Sequence, residues 1–276
     1  MSRAAIRDLP SAVDRAAEIA ERLAGVTPAV FLDYDGTLTP IVEHAADATL
    51  PASTREAIRA LAAVVPVAIV SGRDLADVRA MVGIDGIAYA GSHGFDIVEP
   101  DGARHERAPE ALPALDRAQT ALEDVLGAIP GVSVERKRFA VAVHFRQADP
   151  ARVQAIEEAV DQAVTAAEGQ LRKTGGKKIF EVRPAVAWDK GKALRWLLDA
   201  LGLDRPDVVP LYVGDDVTDE DAFDAIAADG IGVVVCGEDD ARTTAAHYRL
   251  DTPDQVRDLL DGLVPDGGSV SGPDPC

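Results

Sequence analysis

The sequence predicts an α/β fold: a doubly wound, parallel (Rossmann-like) sheet with a smaller α/β unit inserted into it. Three observations carry this. Runs of consecutive apolar residues at 29–32, 67–70, 87–90, 211–213 and 231–235 have the length and character of strands buried on both faces. Helical patterns separate these runs, and strands that alternate with helices imply a parallel sheet. Between Pro100 and Pro184 the pattern changes to helix, two short strands, helix, two short strands.

Taken in order, residues 11–23 read as a lead-in helix, with Ser11 as N-cap, Asp14 three positions later, and Val13, Ala16, Ala17, Ala20 and Leu23 as its apolar positions. The first apolar run then ends on Asp33, the second on Ser71, and the fourth, after Gly214, on Asp215 and Asp216. Ligands of open α/β sheets bind outside the carboxyl ends of the strands, so these distant stretches are expected to converge on one crevice. In the insertion the strand pairs are 132–137 with 140–146 and 170–173 with 179–183. Val141, Val143 and Phe145 alternate with Ala142, His144 and Arg146, as in an antiparallel sheet with one apolar and one polar face. The expected division is a catalytic core of 1–98 and 185–264, a cap of 99–184, and a Pro-, Gly- and Ser-rich tail, 265–276, without fixed structure.

Composition restricts the function. With 276 residues, 47% hydrophobic and 27% charged, the chain can bury a substantial core, and two compact units are expected. The longest apolar stretch, 60–70, is too short for a bilayer and contains Pro66; the N-terminus alternates charges with alanines and lacks the apolar region of a secretory signal. A cytoplasmic monomer is expected, with no membrane partner. Cys236 and Cys276 are not expected to pair, and no cysteine or histidine spacing suggests zinc. The net charge of −19 argues against a nucleic-acid partner. Yet residues 131–195 hold 13 Lys or Arg against 8 Asp or Glu, including all six lysines. Such a local positive field suits a small anionic substrate better than a polyanion.

The segment 31–39, FLDYDGTLT, sets two carboxylates two residues apart beside a glycine. Asp33 can attack phosphorus while Asp35 gives a proton to the leaving alcohol and takes one from water. A carboxylate attacking a phosphate dianion needs a cation to relieve the repulsion. The segment 212–223, YVGDDVTDEDAF, supplies further acids; oxygen ligands without His or Cys point to a hard cation, and Mg2+ fits a site short of protein ligands. Asp219, Glu220 and Asp221 are equally explained as an acidic helix start, whereas Asp215 and Asp216 directly after a strand are not. Ser71 in VSGRD offers a hydroxyl and Lys190 in WDKGKAL a cation for the phosphoryl oxygens.

These four pieces, in this order, resemble the haloacid dehalogenase superfamily of aspartate-nucleophile phosphatases. The resemblance implies a haloacid dehalogenase core with Asp33 as nucleophile, Asp35 as general acid and base, Ser71 and Lys190 as phosphate binders, and Mg2+ held by Asp33, the Asp35 carbonyl and Asp215, with Asp219 helping. A narrower match over 28–260, carried by LDYDGTLTPI, YAGSHGFDI, ERKRFAVAVHFR, EVRP, WDKGKAL and GDDVTDEDAF, is similar to trehalose-6-phosphate phosphatases. It implies hydrolysis of a sugar phosphate, with Glu135, Lys137, Arg146 and Glu181 gripping the sugar and Arg73, His93, His144 and Arg183 beside them; the short N-terminal helix implies no appended synthase domain.

The residues alone leave alternatives. Glu135 and Lys137 share one strand face and, without the family pattern, read first as an exposed ion pair. His93 in GSHG reads either as a neutral histidine satisfied at the core edge or as a substrate contact. A capped phosphatase for sucrose phosphate or a glycosyl-phosphoglycerate, a non-catalytic sugar-phosphate sensor and a receiver domain are the rival functions. The retained Asp35 and Lys190 speak against the sensor, and the inserted unit against the receiver.

Overall fold

Apolar runs in which every side chain must be covered become the central strands of a sheet with helices on both faces. The computed structural model describes residues 3–42, 47–176, 178–237 and 240–264. The chain-order elements are β1 (Ala4–Ala5), α1 (Ala16–Arg22), β2 (Thr27–Leu32), α2 (Ala52–Ala62), β3 (Val67–Val70), α3 (Leu75–Val82), β4 (Ala88–Gly91), β5 (Asp96–Val98) and β6 (Arg104–Glu106). There follow α4 (Leu112–Leu126), β7 (Ser133–Lys137), β8 (Ala140–His144), α5 (Val153–Ala166), β9 (Leu171–Gly176) and β10 (Ile179–Pro184). The chain closes with α6 (Lys190–Ala200), β11 (Val208–Gly214), α7 (Glu220–Ile226), β12 (Ile231–Val235), β13 (Thr243–Thr244), β14 (Tyr248–Leu250) and α8 (Pro253–Leu263).

Eight strands form one sheet in the order β14-β12-β11-β2-β3-β4-β5-β6, parallel from β14 to β4 and antiparallel beyond it. Alternate residues of its strands feed two separate cores. Val30, Leu32, Ile69, Leu211 and Val213 face a layer that includes Ile19, Ile58, Val78 and Leu260 from α1, α2, α3 and α8. Ala29, Phe31, Ala68, Val70 and Tyr212 face Leu194, Leu197 and Phe223 from α6 and α7. This is the Rossmann-like mixed α/β core that the strand runs predict.

A second, four-stranded antiparallel sheet has the order β7-β8-β10-β9. Val141, Val143 and Val182 pack on Leu115, Leu122, Ile156 and Val160 of α4 and α5, giving it a core of its own. The opposite face carries Glu135, Lys137, Glu181 and Arg183, with Glu135 and Glu181 on either side of Ala142 and Lys137 beside Ala140. At the seam Phe139, from the β7–β8 turn, stacks on Phe95 of the core, centroids 5.7 Å apart.

Three expectations need correction. The N-terminal helix starts at Ala16 rather than Ser11, because the main chain around Ser11 runs beside β14, with Ala12 N donating to Arg249 O at 2.9 Å and Arg249 N to Pro10 O at 3.0 Å. Val13 is consequently 49% exposed instead of buried. The strand expected to reach Arg146 ends at His144, and Arg146 lies exposed in the following turn, where Ala148 N bonds Phe145 O. Residues 104–106, read as the start of the insertion, form the edge strand of the core sheet, so the inserted elements begin with the short 3-10 helix Pro109–Ala111. The tail 265–276, with Cys276, lies outside the described residues. Among the described residues no helix is long and apolar enough to cross a membrane.

Candidate active site

Parallel pairing of β11, β2, β3 and β4 forces their carboxyl ends onto one edge, and the polar residues that follow each strand meet there. Asp33 follows β2, Ser71 follows β3, Ser92 and His93 follow β4, and Asp215 follows β11. Carboxylate oxygens of Asp33, Asp215 and Asp219 lie within 4.8 Å of one another.

Lys190 is the first residue of α6, whose N-cap Asp189 accepts from Lys192 N at 2.8 Å. That helix start aims the Lys190 ammonium into the cluster, where it donates to Asp33 Oδ1 and to Asp219 Oδ1, both at 2.7 Å. Burial opposes its charge, but Asp219 and Asp33 overcome that and raise its pKa. Asp219 is itself fully buried and held by Tyr212 Oη at 2.5 Å and by the amides of Asp215 and Asp216 at 3.0 and 2.9 Å.

One lysine does not balance three carboxylates in a buried hole. Burial, with Asp33 and Asp219 close by, pushes the Asp215 carboxyl up, and burial likewise raises Asp33 in spite of Lys190. Asp215 Oδ1 is buried without a hydrogen-bond partner. Crowded carboxylates, one of them carrying an orphaned oxygen, fit a divalent cation with oxygen ligands. The backbone leaves room for the arrangement only because position 36 is glycine: its φ is +79°, and a Cβ there would stand 2.1 Å from Asp215 Oδ2.

Asp35 is 43% exposed and gripped through both oxygens by Arg73, Nε to Oδ2 at 2.7 Å and Nη2 to Oδ1 at 2.6 Å. Arg73 thus meets the proposed proton carrier. Ser71 is buried, its Oγ accepting from Arg73 N at 3.2 Å.

The polar face of the second sheet reaches this edge through Arg183, whose Nη2 donates to His93 Nε2 at 2.6 Å. A guanidinium cannot accept, so the His93 ring is neutral with its proton on Nδ1, and Nδ1 is buried without a partner. Burial and then Arg183 hold the His93 pKa well below its ordinary value. His93 and Ser92 both have left-handed backbones, φ 57° and 49°. His93 is thus a neutral histidine at the core edge, hydrogen-bonded to the insertion through Nε2 and unsatisfied at Nδ1.

Glu181 accepts from Lys137 Nζ at 3.0 Å and from Arg183 Nη2. Burial opposes its ionisation, yet Lys137 and Arg183 hold its pKa at about 2. Glu135 pairs with His144 Nε2 at 2.7 Å, and that hydrogen bond lowers its pKa. The structure therefore brings together Glu135 with His144, and Lys137 with Glu181, Arg183 and His93, and leaves Arg146 on the turn. Sequence reasoning missed Tyr212, which supports Asp219, and Asp74, which accepts from Ser92 Oγ at 2.9 Å and from Arg138 N at 2.9 Å across the seam. Tyr212 stands inside the acidic motif and was findable; Asp74 reads simply as a helix N-cap.

A Rossmann-like core carrying an aspartate cluster at its strand ends, with a separately folded sheet above it, is the architecture of the haloacid dehalogenase superfamily. A haloacid dehalogenase-like hydrolase from Bacteroides thetaiotaomicron shares that fold at TM-score 0.61 and 16% identity, over 85% of this chain and 98% of its own. The C-terminal domain of Candida albicans trehalose-6-phosphate phosphatase shares it at TM-score 0.74 and 24% identity, over 93% of this chain and 97% of its own. The family model for trehalose-phosphatase matches residues 31–254, and the chain belongs to that family. Trehalose-phosphate phosphatases of Mycobacterium marinum and Mycobacterium tuberculosis (strain H37Rv) are 50% and 48% identical to it over 86% and 93% of the chain. A Mycobacterium tuberculosis (strain H37Rv) protein described as an uncharacterized glycosyl hydrolase is 48% identical over 95%. The chain spans 61%, 66% and 20% of the lengths of these three relatives.

Proposed function

We propose that this chain is a Mg2+-dependent phosphatase that hydrolyses trehalose 6-phosphate to trehalose and inorganic phosphate through an aspartyl-phosphate on Asp33. The observation that carries the reading is the buried cluster of Asp33, Asp215 and Asp219 around Lys190, facing a polar sheet surface of Glu135, Lys137, Glu181 and Arg183. The family match and the mycobacterial relatives support the substrate.

In this reading Asp33, the Asp35 carbonyl and Asp215 would hold Mg2+, with Asp219 helping. When bound, the ion neutralises charge on the carboxylates and on the phosphoryl oxygens. Asp33 attacks phosphorus as its bond to the sugar oxygen breaks, and Asp35 gives that oxygen its proton. Asp35 next takes a proton from the water that splits the acyl phosphate, which restores Asp33. Ser71 and Lys190 hold the phosphoryl oxygens, and Lys190 also aims Asp33 and opposes the rise in its pKa. Arg73 orients Asp35 on the core side of the sugar. Glu135, Lys137, His144, Glu181 and Arg183, with His93 below and Arg146 from its turn, exchange their present mutual contacts for sugar hydroxyls. The inserted elements from Pro109–Ala111 to β10 act as the cap over the eight-stranded core.

Phosphate release from a panel of sugar phosphates, with and without Mg2+, tests this. Trehalose 6-phosphate is expected to be the best substrate, with no turnover in chelator. Preference for sucrose phosphate or a glycosyl-phosphoglycerate would reassign the substrate, and binding without turnover would make the chain a sensor.

A further inference from the structure

Asp215 sits one residue beyond β11, where sheet pairing no longer fixes the main chain. Its amide donates to Asp219 Oδ2. Its carbonyl accepts from Arg242 Nη2 at 2.7 Å, across 27 residues of sequence. The main chain of a carboxylate offered to a cation is thus pinned on both sides by side chains, one from the recognised motif and one from a segment that no motif marks.

Arg242 is in turn fixed. Asp240 takes its guanidinium through both oxygens, Nε to Oδ1 at 3.0 Å and to Oδ2 at 2.9 Å, and Nη2 to Oδ2 at 2.6 Å. The Arg242 amide donates to Asp240 Oδ1 at 2.9 Å, and its carbonyl accepts from Ile6 N at 3.0 Å beside the β1–β13 pair. A guanidinium near a cation would repel it, but Asp240 cancels that charge and leaves the directed N–H.

We propose that Arg242, oriented by Asp240, is a positioning residue that holds the Asp215 loop in the geometry needed to bind the divalent cation. The proposal rests on the cation reading of the Asp33–Asp215–Asp219 cluster. Groups that fix a metal ligand from behind govern affinity for the ion because the ligand otherwise has to be ordered at the moment of binding. The carboxylate of Asp215, with an oxygen lacking any partner, has no hydrogen bond of its own to supply that order through Oδ1.

The test is Mn2+ binding to the whole, substrate-free chain, with the free ion counted by electron paramagnetic resonance and Mg2+ used as competitor. R242M is expected to weaken Mn2+ roughly tenfold, the scale found for lost outer ligand partners. D240N should weaken it in the same direction, because the guanidinium is released and its charge uncovered. R242K should recover part of the affinity, since a lysine can still donate to the carbonyl but cannot fill the Asp240 fork. A clip serving only stability would lower the metal-free melting temperature and leave Mn2+ affinity where it was; that result, in R242M or, should it not fold, in D240N, overturns the proposal. D215N is the control: if the unsubstituted chain holds no Mn2+, or D215N holds it equally well, the cation reading itself fails and the role of Arg242 falls with it.

Discussion

Asp33 is a buried carboxylate and Glu181 a partly buried one, and their neighbours give them opposite tendencies. Burial, with Asp219 and Asp35 close by, raises the pKa of Asp33 in spite of Lys190, whereas Lys137 and Arg183 keep Glu181 ionised against its burial. Asp33→Asn should lower turnover of every phosphomonoester by at least about a thousandfold, as loss of a covalent nucleophile does, measured by phosphate release. Glu135→Ala should fall mainly on the sugar ester, by roughly tenfold or more in kcat/KM for a lost charged hydrogen bond. Comparison with a small aryl phosphate checks this, and equal loss on both substrates would contradict a sugar-binding role. For Glu181 the folded pKa of about 2 lies below its ordinary 4.5. Its contribution to stability is therefore complete above about pH 4.5 and lost as the pH falls towards 2. Urea titrations should show Glu181→Gln less stable than the unsubstituted chain by about 3 kcal/mol at pH 7, with the gap closing in acid.

At the scale of single elements, the site is made by where strands stop and helices start. The turn after β2 can pass Asp215 only with glycine at position 36, on grounds of both backbone hand and space. Gly36→Ala should cost at least about 1–3 kcal/mol in backbone strain and displace the Asp215 carboxylate. Calorimetric unfolding and loss of divalent-ion binding would register the two effects separately. The strand runs at 67–70 and 231–235 were legible to the residue, because a strand covered on both faces has no polar position to blur its ends. The first helix was not. Its pattern of alanines around Ser11 fits a helix start equally well, and only the edge of β14 decides that this stretch is used for backbone pairing instead. The length of β8 was likewise settled by a partner: Phe145 N bonds Lys178 O and the chain turns, which puts Arg146 off the strand.

Across the whole molecule, two sheets with separate cores meet at a seam that includes the Phe139–Phe95 stack, the Arg183–His93 hydrogen bond and the Asp74–Arg138 contact. Phe139 is fully buried although it stands at a hairpin turn, since the turn inserts into the core unit. Phe139→Ala should cost about 3–5 kcal/mol, seen as a lower melting temperature, and should speed hydrogen exchange in β7 and β8 before it does so in β2 and β3. Absence of any preferential effect on the hairpin would mean that the seam does not hold the second sheet in place.

Sequence alone determined the parallel core, the polar and apolar faces of the inserted sheet, and the strand-end acids Asp33 and Asp215, because periodicity and strand-end chemistry are local properties; Asp219 reads equally well as part of an acidic helix start. Tertiary structure decided the rest: that Arg73 grips Asp35, that Lys190 bridges Asp33 and Asp219, that His93 meets Arg183, and that Arg242 supports Asp215 from a stretch with no pattern. Each of these contacts joins residues between 27 and 157 positions apart. Pairing over such distances follows from strand order and helix placement in three dimensions, which hydrophobic spacing along the chain does not encode residue by residue.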